Sequence, residues 1–584
     1  TLDLEAATLA GTADNLDVTI SGTASAATNL TITADGTANL ETLTLNSISQ
    51  ANTIATLTTA DVDVSKLIVT GDQNLTVTNA TSGEITEVDA SAFTGSLTLS
   101  AAPGVAAGTG VKITGGAGND SVLSSASGAD TLAGGAGNDT FTVTSLNALD
   151  AVDGGAGSDT LSIAQAITSA TQLGGVSNVE TLTVTSATDV ALAANISATT
   201  FNFVDTDNQV LTVDEGYTDA VSVVFATYAG GDTTNPADGF VNLANVTSTV
   251  THNTLGLDTE LTLTGGTGTD TLNLYLGGNA DETLVNSVSG FEAINLLDNP
   301  LGNTATTLTF GAYAPGTGKN ITIDASTLDA LDAALVIDAS GVTAATTGKQ
   351  ITYTDGANAG KITLGQDTDT ANMGAGNDTV VGTAGANTIN LGDGADSVTA
   401  GTGAENISGG AGNDYINMGG NLTALDTIDG GDGTDTLLTT ASFASSTILG
   451  GMSNVEVFAA TGATSITLAA NISATTFNFA GTGNQVLNLK AGYTDSVTVI
   501  LTGDGGGDKV DNAGVTEANT TLLVKGDATD FTAGTSLAGG TGTDSIEIRQ
   551  TNGTATIDGD ITGFENVTIT DKAGDTFYYI NVEN

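Results

Sequence analysis

Cysteine and tryptophan are absent from this 584-residue chain, and proline (four), histidine (one) and basic side chains (ten) are scarce. Without cysteine there is no disulfide staple and no thiol chemistry, a composition compatible with export by routes that avoid disulfide formation. The single histidine, His252, excludes the zinc-protease pattern H-E-x-x-H and any Cys–His pair. A Ser-His-Asp triad would have to use it, yet no G-x-S-x-G surrounds a serine. Among threonine and asparagine neighbours, His252 reads as a surface or turn residue. Gly316-Thr-Gly-Lys319-Asn320 fails as a phosphate loop, because its first glycine is misplaced and Asn320 stands where serine or threonine is needed. The scarcity of aromatic platforms weighs against a glycosidase built on paired carboxylates. No 18-residue apolar run occurs, so no membrane span is expected. The chain starts at Thr1 with no basic-then-apolar leader and is expected to begin inside a longer or processed polypeptide. No enzymatic activity is expected.

What is abundant is acid, glycine and strand-forming residues. Sixty-six acidic against ten basic side chains give a net charge of −56. Nucleic acid and anionic lipid would be repelled, and the natural counterparts are cations. Disorder is the bland alternative for so acidic a chain, but the 39% hydrophobic content falls in alternating runs. Threonine, valine and isoleucine favour strands, and 77 glycines punctuate them. The class is all-β, and the length predicts a multi-part or elongated molecule.

One stretch organises the rest. From Asp369 to Asp414 an acidic or amide residue returns every nine positions: Asp369, Asp378, Asn387, Asp396, Glu405, Asp414. Around them run Gly374-Ala-Gly-Asn-Asp378, Gly392-Asp-Gly-Ala-Asp396 and Gly409-Gly-Ala-Gly-Asn-Asp414, with apolar Val380, Ile389, Val398, Ile407 and Ile416 two places after the acidic position. Glycines permit a tight turn with carbonyls pointing inward, and the apolar residue sits in a very short strand. Two nonapeptides per turn stack residues 18 apart. Asp378, Asp396 and Asp414 then form one column, and Asp369, Asn387 and Glu405 the other. Calcium takes six to eight oxygens, which carboxylates and turn carbonyls provide. The first column is complete in aspartate; the second is degenerate, so weaker or missing ions are expected there.

The pattern G-G-x-G-x-D-x-U-x resembles the calcium-binding parallel β-roll of RTX proteins. A less regular array carries it at Asp120, Asp130, Asp139 and Asp159, where spacings of ten, nine and twenty break the phase and predict fewer ordered turns. Asp435 extends the second array. Isolated copies hold Asp270 and Asp544, either as one-calcium module caps or as hairpin turns. With the absent cysteine and the Thr/Ala/Gly-rich β modules, the whole resembles bacterial RTX-type surface-layer proteins. That resemblance implies multiple calcium ions, folding outside the cell, type I secretion, and self-assembly into a lattice at the cell surface, anchored to cell-surface polysaccharide through a region outside this chain. An RTX adhesin or extracellular matrix filament of the same secretion class is the alternative. A secreted RTX hydrolase would need a catalytic domain elsewhere.

The modules between arrays read as short strands ten to fourteen residues apart, a solenoid in preference to a sandwich. Leu173-Gly-Gly-Val-Ser-Asn-Val-Glu180 matches Leu449-Gly-Gly-Met-Ser-Asn-Val-Glu456, and Ala194–Phe203, Asn208–Leu211 and Gly216–Asp219 recur at the same offset of 276. The chain therefore divides into an N-terminal β module (1–114), a first array (115–160), a β module (161–298), a connecting module (299–365), a second array (366–436), and a second β copy with the C-terminus (437–584). The connecting module matches part of the first through Val88-Asp-Ala-Ser91 and Ile323-Asp-Ala-Ser326. The recurring Asn-(Leu/Val)-Glu at Glu41, Glu180 and Glu456, with looser versions at Glu292 and Glu565, reads as a polar rung edge with no ligand. Phe577–Asn584 is either an uncleaved export signal or a last strand.

The column assignment predicts unequal variants. Asp396→Ala is expected to loosen both adjacent turns and weaken calcium binding, whereas Asn387→Ala does little. Equal losses in a calcium titration would sink the assignment.

Overall fold

The computed structural model describes residues 2–4, 14–21, 28–34, 40–59, 64–79, 85–100, 109–124, 128–167, 169–185, 189–192, 197–203, 210–213, 220–225, 240–242, 248–252, 262–266, 268–275, 281–283, 288–297, 306–310, 319–328, 335–342, 350–442, 446–462, 465–468, 473–480, 485–489, 495–502, 508–511, 521–527, 530–531, 535–550, 555–557, 560–571 and 580–582. The repeats at 208–209 and 216–219, the phosphate-loop look-alike at 316–318, and most of the proposed export signal lie outside them. Ile580–Val582 is a strand paired with Ala555–Ile557.

Two units are formed: Thr1–Tyr275 with Ser287–Phe291, and Leu276–Asn286 with Glu292–Asn584. Each is a parallel β-solenoid, so the solenoid expectation for the modules holds and the sandwich alternative falls away. In the first unit, Asn15–Ile20, Thr42–Ser47, Lys66–Gly71, Glu87–Asp89, Lys112–Thr114, Thr131–Ala136, Ala151–Ala156 and Val176–Ser177 stack in one parallel sheet. Strands from the other half of each turn, among them Ser121–Leu123, Thr140–Val143, Thr160–Ile163 and Thr181–Val184, build a second. Pairing thus passes from the N-terminal module into the first array without a break.

The second unit repeats the plan. Thr370–Ala375, Thr388–Asp393, Asn406–Ala411 and Thr427–Asp432 form one ladder, and Thr379–Val381, Ser397–Thr399, Tyr415–Gly419 and Thr436–Thr439 the other. Side chains alternate in and out, as the strand period requires. The inward set stacks in register: Val380, Val398, Ile416, Leu437, Phe458, Phe477, Val499, Val524 and Ile546 follow one another turn after turn, all buried. Phe458 and Phe477 bring their rings to 6.0 Å. These are the apolar positions of the nonapeptide continued into a module that carries the nonapeptide only at Asp544.

Three expectations change. The first array does not lose turns, because its insertions are absorbed in the loops: Asp139 follows Asp120 by 19 residues in one stack, and Asp159 follows Asp139 by 20. Asp544 is not in a hairpin, since Ser536–Ala538 and Ser545–Gln550 belong to different parallel sheets. Nor is Asp270, which lies between Thr262–Thr264 and Thr271–Tyr275 in two different parallel sheets. His252 closes the strand Ser248–His252 and pairs with Phe225 and Leu274, so it is not a turn residue. The Asp-Ala-Ser turns do share geometry: Ser91, Ser326 and also Ser340 each donate their N–H to the aspartate two residues before.

A thin core makes each rung count. Ile416→Ala is expected to cost about 2–5 kcal/mol. Leu425→Ala, at a side chain 77% exposed, should stay within about 0.5 kcal/mol. Denaturant unfolding in excess calcium measures both.

Candidate calcium-binding turns

Each array aspartate is fixed by a hydrogen bond across turns. The backbone N–H of Asp378 donates to Oδ1 of Asp396 (2.7 Å), that of Asp396 to Asp414 (2.9 Å), and that of Asp414 to Asp435 (2.8 Å). The first array repeats this from Asp120 to Asp139 and from Asp139 to Asp159, at 2.7 Å each. Opposite columns run from Ile351 to Asp369, Asn387, Glu405 and Asp426, and from Val111 to Asp130 and Asp150. The sequence reasoning placed Asp378, Asp396 and Asp414 together, and the structure stacks them. It missed Asp150 and Asp426, although each lies nine residues before an assigned aspartate, in Ala-Leu-Asp sequences 276 apart. The missing glycines hid them.

What separates the aspartates is the second oxygen. Oδ2 of Asp139, Asp159, Asp378, Asp396, Asp414 and Asp435 is buried without a hydrogen-bond partner. In Asp120, Asp270, Asp369 and Asp544 the same atom accepts the N–H of the residue four before it: Gly116, Gly266, Gly365 and Gly540. The backbone decides which. Where the residue four before is Gly135, Gly155, Gly374, Gly392, Gly410 or Gly431, its φ lies between 98° and 121°, a region open to glycine. In these six its N–H does not reach the carboxylate. Asp150 and Asp426 instead spend Oδ2 on the N–H of Asn147 and Thr423. In the degenerate column, Asn387 and Glu405 hydrogen-bond to each other.

Backbone carbonyls face the free oxygens. A Cβ built on Gly409 would meet both Gly430 O and Asp414 Oδ2, and one on Gly134 both Gly154 O and Asp139 Oδ2. Among the described residues no three acidic side chains converge as a ready metal cluster. A cation here would draw on turn carbonyls plus one carboxylate oxygen per turn, the donor set a hard, flexible ion such as calcium accepts. The residues fit.

Neighbouring groups were also overlooked. Asn119, Asn138, Asn377 and Asn413, each preceding a column aspartate, accept the N–H of the next turn at 2.8–3.0 Å. Asp355 lies ahead of the second array; a Cβ on Gly360 would meet its Oδ2, so its carboxylate fills the place of the aspartate that Gly360 lacks. The Asn-(Leu/Val)-Glu motif is no bare rung edge: Glu41, Glu180, Glu456 and Glu565 accept the N–H of Asp14, Asp159, Asp435 and Asp544 at 2.7–2.9 Å.

These turns, parallel strands closed by glycine loops with inward carbonyls and carboxylates, define a cation-binding β-roll. Four stretches match the RTX calcium-binding nonapeptide repeat: residues 124–143, 374–404, 399–420 and 425–441. The chain thus carries RTX repeats, and calcium is their ion. No curated protein matches the chain.

Burial pushes the column carboxyls upward. Asp378 rises to about 7, with the charges of Asp355 and Asp396 adding to its desolvation. Asp396, Asp139 and Asp369 rise to about 6, again mainly through burial. A carboxyl whose folded value lies above its unfolded value of about 3.9 stabilises the fold below that value. Its contribution is lost as pH rises through 6 to 7. Calcium-free protein is therefore expected to melt at a higher temperature at pH 4.5 than at pH 7.5. Saturating calcium should flatten or reverse the trend, and thermal melts in chelator and in calcium compare the two.

Gly410→Ala removes the φ of 100° and places a methyl against Gly392 O. It should weaken calcium binding more than Gly462→Ala, whose glycine has φ of 91° but open space around it. Calorimetric calcium titration of both variants checks this.

Proposed function

We propose that the chain is a calcium-dependent, self-assembling extracellular structural protein, the lattice-forming part of a bacterial surface layer. One observation carries the reading: a column of stacked aspartates with buried, unpartnered oxygens, in a chain of net charge −56. Such a column is poorly compatible with a folded state at neutral pH until a cation arrives. An acidic chain then stays open and soluble where calcium is scarce. Affinities of roughly 10⁻⁴ to 10⁻³ M would let extracellular calcium fold it. Bound ions neutralise charge and stiffen the roll, and copies can meet face to face. The role is non-catalytic, the partner another copy, and the location the cell surface, with polysaccharide as the anchor. Nucleic acid is not a partner for so acidic a surface. Among the described residues, no helix is long and apolar enough to cross a membrane.

An adhesin or matrix filament is the second reading, and the duplication favours it. Asn178 and Asn454 share φ of 51° and the same bonds, to Asp153 and to Asp429, so the repeated unit is conserved in detail.

Calcium titrated into chelated protein, followed by circular dichroism, particle size and electron microscopy, separates these readings. Folding together with planar arrays at millimolar calcium is the expected outcome. Filaments or folded monomers would favour the adhesin. Indifference to calcium would overturn both.

A further inference from the structure

The Asn-Val-Glu motif does more than end a ladder. In a regular array turn the glycine five residues before the aspartate supplies a carbonyl to the turn below, and the aspartate supplies a carboxylate. Gly154 O and Asp159 do this for the turn of Asp139. One turn further on, neither a glycine nor an aspartate occupies those stacked places. Asn178 O lies over Gly154 in their place, and Glu180 Oε2 accepts the N–H of Asp159 (2.7 Å). A Cβ on Gly154 would meet Asn178 O and Asp159 Oδ2 together.

The second array ends the same way. Asn454 O and Asp435 Oδ2 face the Cβ position of Gly430, and Glu456 Oε2 accepts the N–H of Asp435 (2.9 Å). In the ordinary turn five residues separate the two donors; here only two do, and glutamate's extra methylene spans the difference. The left-handed backbone of Asn178 and Asn454 is held by their side-chain bonds to Asp153 Oδ1 (2.6 Å) and Asp429 Oδ1 (2.7 Å). Val179 and Val455 N–H are tied to Ser197 and Ser473 hydroxyls. Oδ2 of Asp159 and of Asp435, both 0% exposed, points into this place without a partner.

We propose that Asn178 with Glu180, and Asn454 with Glu456, supply the outer carbonyl and carboxylate of one terminal calcium ion at the end of each array, with Asp159 and Asp435 as the inner ligands. Resting on the calcium reading above, it adds ligands that lie outside any nonapeptide. The turn of Asp544 is an internal contrast. Glu565 caps it identically and Gly563 O lies over Gly539, but Gly540 N–H already occupies Asp544 Oδ2. That turn is built to stand without an ion.

Calcium stoichiometry and affinity of the full chain, by equilibrium dialysis and calorimetry, test the assignment. Glu180→Gln and Glu456→Gln are each expected to lose one bound calcium or weaken one site about tenfold, with unchanged circular dichroism at saturating calcium. Glutamine still accepts the aspartate N–H, so the ladder survives. Glu565→Gln should bind calcium like the parent. Parent-like binding in Glu180→Gln and Glu456→Gln would overturn the proposal. So would loss of folding at every calcium concentration, which assigns the glutamate to the framework. Absence of binding by the parent would instead remove the calcium reading itself.

Discussion

The hydrogen bond from one turn's backbone N–H to the next turn's carboxylate is the constraint on which this fold depends. It locks aspartates into register at the strand repeat of about 4.8 Å. Two ionised neighbours at that spacing repel by roughly 3 kcal/mol at an effective dielectric of about 20, more than one hydrogen bond returns. The column is therefore stable only when protons or a cation share it. Burial raises the carboxyls of Asp378 and Asp396, and the neighbouring acidic charges add to it.

Backbone conformation sets which carboxylates are in conflict. A glycine near φ of 100° four residues before the aspartate leaves Oδ2 bare; an ordinary φ there satisfies it. The same side-chain type thus carries a bare Oδ2 at Asp414 and a hydrogen-bonded one at Asp369 and Asp544. Charged sites and charge-quiet turns then alternate within one solenoid pattern, carried past the arrays by the continuing apolar stack from Val380 to Ile546.

The duplication extends this logic to the ends of the arrays. Both copies preserve the terminal Asp, the left-handed Asn and the reaching Glu, together with a 3₁₀ turn at Ala170–Leu173 and again at Ser446–Leu449. A column needs an end that neither wastes a buried carboxylate nor offers an unpaired turn, and a three-residue motif provides it.

The sequence by itself determined the class, the nonapeptide phase, the stacking of Asp378, Asp396 and Asp414, and the degeneracy at Asn387 and Glu405. These follow from spacing, and spacing is local. Only the tertiary structure decided that Asp120 and Asp139 share a column despite broken phase, because loops absorb insertions without disturbing strand register. It alone showed Asp355 filling the place Gly360 leaves empty, and Glu180 and Glu456 completing columns from outside the repeat. The aspartates that Glu180 and Glu456 meet each lie 21 residues away in sequence, brought together by stacked turns, and no short motif records which way a buried oxygen faces.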